Sequence, residues 1–385
     1  MIGNLATGRI IFCGAVVILA TASNASQPAM PNSFTALMAA AKAHALAHGA
    51  QVPALSPVDA SLLTTNPKVD VAALHAIGVQ VVPWTTNDPA RMRTLIAMHI
   101  DGLISDRPDL LQQAVADVRK TDTTVSPNFN VSGHRGGRGL RPENTLPAFE
   151  AGMDNLIDTI ETDTGVTSDR HSIIWHDQFL NPESCRHSDG SPYDYATAVW
   201  HRDATLAELQ HTFICDKLHP SFPDQRNDLA LSPAAVAFAK QEHLPSPYTP
   251  ITVDQLFRFA AFYTAYYKSG PGHTHPDAAA RALHAARVHF NLETKILPFP
   301  DGGATKPTGN AEPKTNHTVD PQTFVTTLCG AVARAHMESR SDIQSFDFRT
   351  LQLVEEQFPK IPTFYLTSDP KLLSSDLVPA NLRQP

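Results

Sequence analysis

Positive charge is scarce in this chain: 30 Lys and Arg stand against 38 Asp and Glu among 385 residues, a formal net charge of −8. That balance argues against a nucleic-acid binder, whose affinity rests on clustered cations neutralising phosphates. A small anionic substrate stays open, because a local cationic group can outweigh the global sign. Charged residues of both signs make up only 18%, while hydrophobic residues reach 42%, a globular balance and not a disordered one. No internal repeat is found. Nor does any apolar run comfortably reach the ~20 residues that a membrane-spanning helix needs. The run 10–20 follows a lone Arg9 and precedes small residues at Ala20-Thr21-Ala22 and Ser23-Asn24-Ala25, the pattern of a secretory signal peptide over 1–25. Export to the periplasm or the medium is expected, with a retained anchor as the competing reading.

Cysteine is also sparse, at four residues. Cys13 falls in the leader, and Phe12 before it is too bulky for a lipoprotein signal. Of the remaining three, Cys185 and Cys215 flank one loop-rich stretch and form the expected pair in a disulfide-permissive compartment. Cys329, on an expected helix, is left as a buried thiol. Sequence alone does not fix this connectivity.

What is present is alternation. Helical periodicity over 34–49 ends at Gly49, a suitable C-cap. A short strand at 51–56, a helix at 69–77, a β-branched run at 79–84, a helix at 89–99 and a strand at 101–105 follow. After a polar segment at 120–130 come a strand at 131–134, a helix at 146–153 and two strands, 159–166 and 172–176, joined by the tight turn Ser168-Asp169-Arg170. Helices are expected at 206–210, 252–267 and 323–337, and strands at 289–295, 342–346 and 362–366. Strands alternating with helices indicate a parallel sheet of βαβ units. The stretch between His176 and His289, rich in Pro, His and aromatics, is long enough for a cap or a functional insertion.

The chemistry-bearing residues cluster at strand ends. Residues two apart on a strand share a face, so Glu161 and Asp163 point the same way, as do Glu293 and Lys295. Carboxylates facing a barrel interior are costly unless they bind something. Three of them, Glu161, Asp163 and Glu293, supply oxygen ligands suited to Ca²⁺ or Mg²⁺; a structural ion network with Arg135 and Lys295 is the alternative. His134 and His176, each ending a strand beside these acids, can take and give protons. Arg135 offers a bidentate fork for phosphate oxygens and Lys295 a point charge.

The set His134-Arg135-Gly136, Pro142-Glu143-Asn144-Thr145, Glu161-x-Asp163, Trp175-His176-Asp177, Asn291-Leu292-Glu293-Thr294-Lys295, Gln344-Ser345-Phe346-Asp347 and Tyr365-Leu366-Thr367 resembles the glycerophosphodiester phosphodiesterase family. The resemblance implies a (β/α)8 TIM barrel and hydrolysis of a glycerophosphodiester to glycerol 3-phosphate and an alcohol. It assigns Glu161, Asp163 and Glu293 to the metal, and His134 and His176 to the acid/base pair. Arg135 and Lys295 match phosphate-contacting positions, Glu143 lines the same site, and Trp84 would wall the pocket. The base role goes provisionally to His176 and the acid role to His134. A phospholipase-like enzyme acting on lysophospholipids or inositol phosphodiesters, or a non-catalytic periplasmic binding protein, are the alternatives. The partner implied is a small molecule, with oligomeric state open.

The order of the pieces departs from the family. Its closing features come first here, as Leu55-Ser56-Pro57, Val81-Val82-Pro83-Trp84-Thr85-x-Asn87 and Asp101-Gly102-Leu103-Ile104-Ser105-Asp106-Arg107-Pro108. The implied barrel is circularly permuted: 34–119 supplies strands six to eight, 120–130 the join, and 131–370 strands one to five with an insertion at 180–285. The ends of a closed barrel lie close together, which makes such an order feasible. Two smaller departures concern backbone: Arg170 stands where the hairpin turn usually has Gly, and Asn155 replaces a Gly after a helix, where a left-handed Asn is expected.

Overall fold

The protein, seen as a computed structural model, is described for residues 33–298, 315–368, 373–374 and 378–384; the expected leader 1–25 lies outside them. The chain runs α1 (Ser33–Ala47), β1 (Ala54–Pro57), α2 (Val71–Ala76), α3 (Pro89–Ile96), β2 (Gly102–Ser105), α4 (Pro108–Thr121), β3 (Asn130–Gly133), α5 (Leu146–Asp154), β4 (Thr159–Val166) and β5 (Ser172–Ile174). It continues through β6 (Arg186–His187), α6 (Leu206–Thr212), β7 (Phe213–Ile214), α7 (Pro233–Gln241), α8 (Val253–Lys268) and α9 (Ala278–Ala285). Then follow β8 (His289–Thr294), α10 (Pro321–Arg334), β9 (Ser341–Ser345), α11 (Phe348–Gln357) and β10 (Thr363–Thr367).

Local chemistry sets where the helices start. The Thr252 hydroxyl accepts from Gln255 N while the Gln255 side chain reaches back to the cap, a capping box that opens α8. Helix α10 begins two residues ahead of the expected Thr323, because Asp320 accepts from Thr323 N and Pro321 occupies a first-turn position where no N–H is needed. Gly49, past the end of α1, has φ +73° as a C-cap should. After α5 the expectation for Asn155 fails: Asn155 keeps φ −92°, and the left-handed residue is Leu156, at φ 56°. The helix holds on through Asn155, whose N–H still donates to Gly152 O at 3.0 Å. The Leu156 carbonyl is then taken by the Gln112 amide at 2.7 Å.

The parallel strands follow the order β1-β10-β9-β8-β4-β3-β2. The 80–86 segment closes this sheet into a barrel. On one side, Leu55 N donates to Gln80 O at 2.8 Å, Val82 N to Leu55 O at 2.9 Å and Trp84 N to Pro57 O at 3.0 Å. On the other, Asp101 N donates to Val81 O at 3.0 Å and Ile104 N to Pro83 O at 3.0 Å. Pro83 has no N–H to give, which is why this stave pairs through bridges where a regular strand was expected. The fold is thus an α/β barrel of the TIM type. Antiparallel β5 folds back on β4 through the expected turn, where Arg170 takes φ 64°.

The main core lies between the barrel and its helices, with Leu55, Leu103, Val131, Ile160, Leu292, Ile343 and Tyr365 buried among helix residues such as Leu74, Leu111, Phe149, Phe259, Phe324 and Leu351. Helices α7, α8 and α9 contribute to this layer through Phe238, Leu256 and Ala282, so the later part of the long connection is barrel wall. Its earlier part carries a satellite core of Trp175, Leu180, Leu209 and Phe213. The ribbon β6–β7 and the Cys185–Cys215 disulfide, which spans 30 residues, hold it together. Cys329 is free and buried, as expected. Among the described residues no helix is long and apolar enough to cross a membrane.

Candidate active site

Side chains that end the parallel strands converge at the rim where βα loops leave the barrel, the face where TIM barrels place their chemistry. Register brings the acids together: Asp163 on β4 sits opposite Glu293 on β8, and Glu293 sits opposite Gln344 on β9. Ligand atoms of Glu161, Asp163 and Glu293 all lie within 4.8 Å of one another, and all three residues are buried. Burial and the neighbouring charges of Asp163 and Glu293 drive the Glu161 carboxyl well above its ordinary value. Asp163 goes the other way: burial would raise it, but Arg135, His176 and Lys295 hold it far below the usual range.

Cations reach this cluster from two sides. Lys295 Nζ lies 2.9 Å from Glu293 and 3.7 Å from Asp163, and these acids outweigh burial to raise its pKa. Arg135 Nε lies 3.2 Å from Asp163, its Nη1 donates to Glu143 at 2.8 Å and its backbone N–H donates to Glu161 at 2.9 Å. A divalent cation fits what is there. Even with both cations in place, Asp163 Oδ1 is buried without a hydrogen-bond donor, and an all-oxygen donor set suits Ca²⁺ or Mg²⁺.

The two histidines differ in setting. His134 is buried; its Nδ1 lies 2.5 Å from Asp106 Oδ1 and its Nε2 3.8 Å from Glu161. Burial, with Arg138 nearby, lowers its pKa to about 4 against the opposing pull of Asp106. Burial would raise Asp106, yet His134 and Arg138 keep it well below the ordinary carboxylate range. Asp106 is therefore an acceptor, which puts a proton on His134 Nδ1 and leaves the Nε2 lone pair facing the acids. His176 is half-buried, and its Nδ1 pairs with Asp177 at 2.9 Å. Asp177 is in turn held by the Asn181 amide at 2.8 Å.

Glycines allow the loop after β3 to bring His134 and Arg135 this close. Arg135 is left-handed at φ 50°, with Gly136 at φ 87° and Gly137 at φ 146° behind it. Under them Gly152 on α5 touches the Gly136 carbonyl, where an added Cβ would sit 2.2 Å from that oxygen. Asn144, also left-handed at φ 56°, donates to Asp163 at 3.0 Å and accepts from Thr162 at 2.8 Å.

A cavity of about 320 Å³ connects these groups, lined by His134, Arg135, Glu161, His176, Glu293 and Lys295 together with an apolar wall of Trp84, Phe346, Leu297 and Leu366. Trp84 stacks edge-on against Phe346 at 5.4 Å and donates its indole N–H to Ser56 O at 3.0 Å. A family model described as the Glycerophosphoryl diester phosphodiesterase family matches residues 4–110 and 134–383. The chain belongs to this family.

Similarity to individual members of the phosphodiesterase family is local. The "Putative glycerophosphodiester phosphodiesterase YhdW" of Bacillus subtilis (strain 168) is 33% identical over 93 residues, 24% of this chain and 34% of that protein. Among solved structures, a "Putative glycerophosphoryl diester phosphodiesterase" from Silicibacter pomeroyi DSS-3 aligns at 22% identity and TM-score 0.42 over 62% of this chain and 65% of that one. An Oleispira antarctica phosphodiesterase solved with the product sn-glycerol-3-phosphate aligns at 16% identity and TM-score 0.36, covering 61% and 64%. The chain thus spans about a third of the curated relative and under two thirds of these structures.

Every site residue expected from sequence lies at this one rim: His134, His176, Arg135, Glu143, Lys295, Trp84, Glu161, Asp163 and Glu293. Four further residues hold the site together and were expected only as parts of motifs or not at all: Asp106, Arg138, Asn144 and Gln344. Gln344 donates to Glu161 at 2.6 Å, and Arg138 Nε donates to Asp106 at 2.6 Å. Asp106 and Gln344 end parallel strands beside the acids, a position that sequence could have flagged; Arg138 lies in a glycine-rich loop and gives no such signal.

Proposed function

We propose that this protein hydrolyses glycerophosphodiesters to glycerol 3-phosphate and an alcohol, using a divalent cation held by Glu161, Asp163 and Glu293. The observation that carries the reading is a buried triad of carboxylates between two differently set imidazoles, with Arg135 and Lys295 at the same cavity. A cation bound there would neutralise phosphate charge and favour ionisation of the attacking water. Arg135 and Lys295 orient the phosphate oxygens and stabilise the charge that grows on them.

We read the proton roles from the hydrogen bonding, in the opposite sense to the provisional assignment. His134, with Nδ1 committed to Asp106, presents an unprotonated Nε2 and accepts the proton of the attacking oxygen. His176, paired with Asp177 on the more open side, donates a proton to the departing alcohol oxygen. The apolar wall of Trp84, Phe346 and Leu366 favours, as a second reading, substrates whose glycerol carries an acyl chain.

The deciding experiment is a time course of glycerol 3-phosphate release from glycerophosphodiesters and from a long-chain lysolipid, with Ca²⁺, with Mg²⁺ and with EDTA. Release that depends on the cation supports the reading. No release from any diester under any condition sinks it, and a marked preference for the lysolipid favours the second reading.

Two further expectations belong to this proposal. Export over a leader at 1–25 is supported by the Cys185–Cys215 disulfide, which suits an oxidising compartment; amino-terminal sequencing of secreted protein tests it. Circular permutation is supported by the parallel pairing of β2 with β3, which α4 and the segment 122–129 join. A chain reopened at 122–129, with residues 33–121 joined after residue 385, should fold and turn over if that reading holds.

A further inference from the structure

The face of the barrel away from the active-site rim carries a second group of ligand-bearing side chains. It lies where α1 and α11 end, ahead of β1 and β10. His44 is in the last turn of α1, His48 one residue past its end, and Glu356 in the last turn of α11, which packs on α1. One ligand atom from each of the three lies within 4.8 Å of the other two. We infer that His44, His48 and Glu356 bind a zinc ion that fastens α1 to α11, apart from the carboxylate triad at the rim.

Hydrogen bonding prepares both rings for a metal. The buried Glu355 accepts on Oε1 from the hydroxyls of Thr363 at 2.7 Å and Tyr365 at 3.0 Å. Its Oε2 lies 2.7 Å from His44 Nδ1, so that nitrogen carries the proton of a neutral ring. His48 Nδ1 lies 2.9 Å from the His44 carbonyl, which can only accept, and its proton sits there too. Each imidazole is left with a lone pair on Nε2. A carboxylate or carbonyl partner on the other ring nitrogen is what orients a zinc-bound histidine.

His44 Nε2 faces Glu356 Oε1 at 3.3 Å. With Nδ1–H committed to Glu355, both of these atoms are acceptors and they have no proton between them. A proton on Nε2 would join that pair alone, whereas a cation joins all three residues. Ligands of a tetrahedral zinc with bonds of about 2.1 Å stand about 3.4 Å apart. The His44–Glu356 pair is already at that spacing, and the exposed His48 ring is free to close the remainder.

The donor set names the metal. Two imidazoles and one carboxylate suit zinc, with water completing the shell. Ca²⁺ and Mg²⁺ take oxygen ligands and are poorly served here. The helices help as well, because α1 and α11 both end at the site and each presents the negative end of its dipole. This is the face on which TIM barrels place stability and not chemistry. The ion is therefore a clamp on α1, the first helix of the described chain.

The test titrates Zn²⁺ by calorimetry into the full chain, free of any tag and stripped with EDTA, in excess Mg²⁺ to occupy the carboxylate triad. Wild type should bind one zinc ion that His48→Ala binds at least about tenfold more weakly, and Glu356→Gln should behave as His48→Ala does. Co²⁺ in place of zinc should give the visible bands of a tetrahedral site in wild type and lose them in His48→Ala. Zinc should raise the melting temperature of wild type by more than that of His48→Ala, while turnover of a glycerophosphodiester is the same in both. No zinc bound by wild type, or equal affinity and stoichiometry in wild type and both variants, overturns the inference. Zinc bound at these residues without a rise in melting temperature overturns the clamp.

Discussion

Asp106 and His134 meet at 2.5 Å across 28 residues of chain, one from the end of β2 and the other just after β3. The contact exists because β2 and β3 are neighbours in the barrel, with Ser105 in register with Gly133. The same Asp106 oxygen accepts from Arg138 at 2.6 Å, so one buried carboxylate fixes both the imidazole tautomer and the guanidinium next to the cavity.

Replacing Asp106 by Asn keeps the volume but can turn an N–H toward His134, favouring the wrong tautomer. We expect Asp106→Asn to lower kcat by ~10²-fold or more with a much smaller change in KM. His134→Ala should cost at least as much. Steady-state kinetics on a soluble glycerophosphodiester, beside circular dichroism, check this; near-normal turnover in Asp106→Asn means His134 does not act through Asp106.

The metal assignment makes a prediction that needs no turnover. Glu161→Gln and Asp163→Asn each remove one charge from the triad, and binding of Ca²⁺ or Mg²⁺ by calorimetry should weaken by at least about tenfold in each. Glu293→Gln should do the same while leaving Lys295 short of its 2.9 Å partner. If all three variants bind the cation as wild type does, these carboxylates are the ion network that Arg135 and Lys295 could equally have made.

Much of this site was legible because the barrel maps short motifs onto adjacent strand ends. Glu161, Asp163, Glu293 and Lys295 share faces by the period of two, and strand pairing then puts Asp163 opposite Glu293. The 79–84 run was likewise legible as a stave, since its β-branched residues outweigh one Pro. What stayed hidden depends on contacts between segments far apart in the chain. Arg138 matters because Phe222 from the long connection lies under it, and no local pattern announces that. Asn155 misled for a related reason: the carbonyl beyond it has a partner on α4, Gln112, which lets Leu156 take the left-handed turn. That α7 to α9 cover the barrel, and do not form a separate cap, follows from burial of residues such as Phe238 and Ala282, which read equally well as a cap core.

Close packing beneath the catalytic loop gives a third expectation. A Cβ on residue 152 would stand 2.2 Å from Gly136 O, and one on residue 136 would stand 2.7 Å from Ala148 C; both contacts are with backbone, which cannot swing away. Gly152→Ala should destabilise the fold by roughly 1–3 kcal/mol. It should also raise KM, since Arg135 rides on the displaced loop. Urea unfolding and kinetics test this together, and an unchanged midpoint with unchanged KM counts against the loop being fixed from below.

The disulfide predicts a local effect. Cys185–Cys215 closes a 30-residue separation around the satellite core, for which loop closure alone suggests about 3–4 kcal/mol. In the double Ser variant, amide exchange should speed up around 178–217 while barrel strands such as β8 keep their protection. Uniform loss of protection through the barrel would show that this segment is part of the main cooperative unit.

Glu150 supplies a pH dependence whose sign can be worked out. It is buried on α5, accepts from the backbone of Ala234 at 3.1 Å and Ala235 at 2.6 Å at the start of α7, and burial with the nearby Asp154 pushes its pKa up to about 8. A carboxyl raised in the folded state favours folding fully below its ordinary value of 4.5, and that contribution fades as pH climbs to about 8. The slope is at most ~1.4 kcal/mol per pH unit for one group. Wild-type stability measured by urea should therefore fall between pH 5 and pH 8 by more than that of Glu150→Gln, which cannot ionise. Parallel pH profiles for the two proteins would mean that the helix start at α7 already stabilises the carboxylate enough to keep it charged.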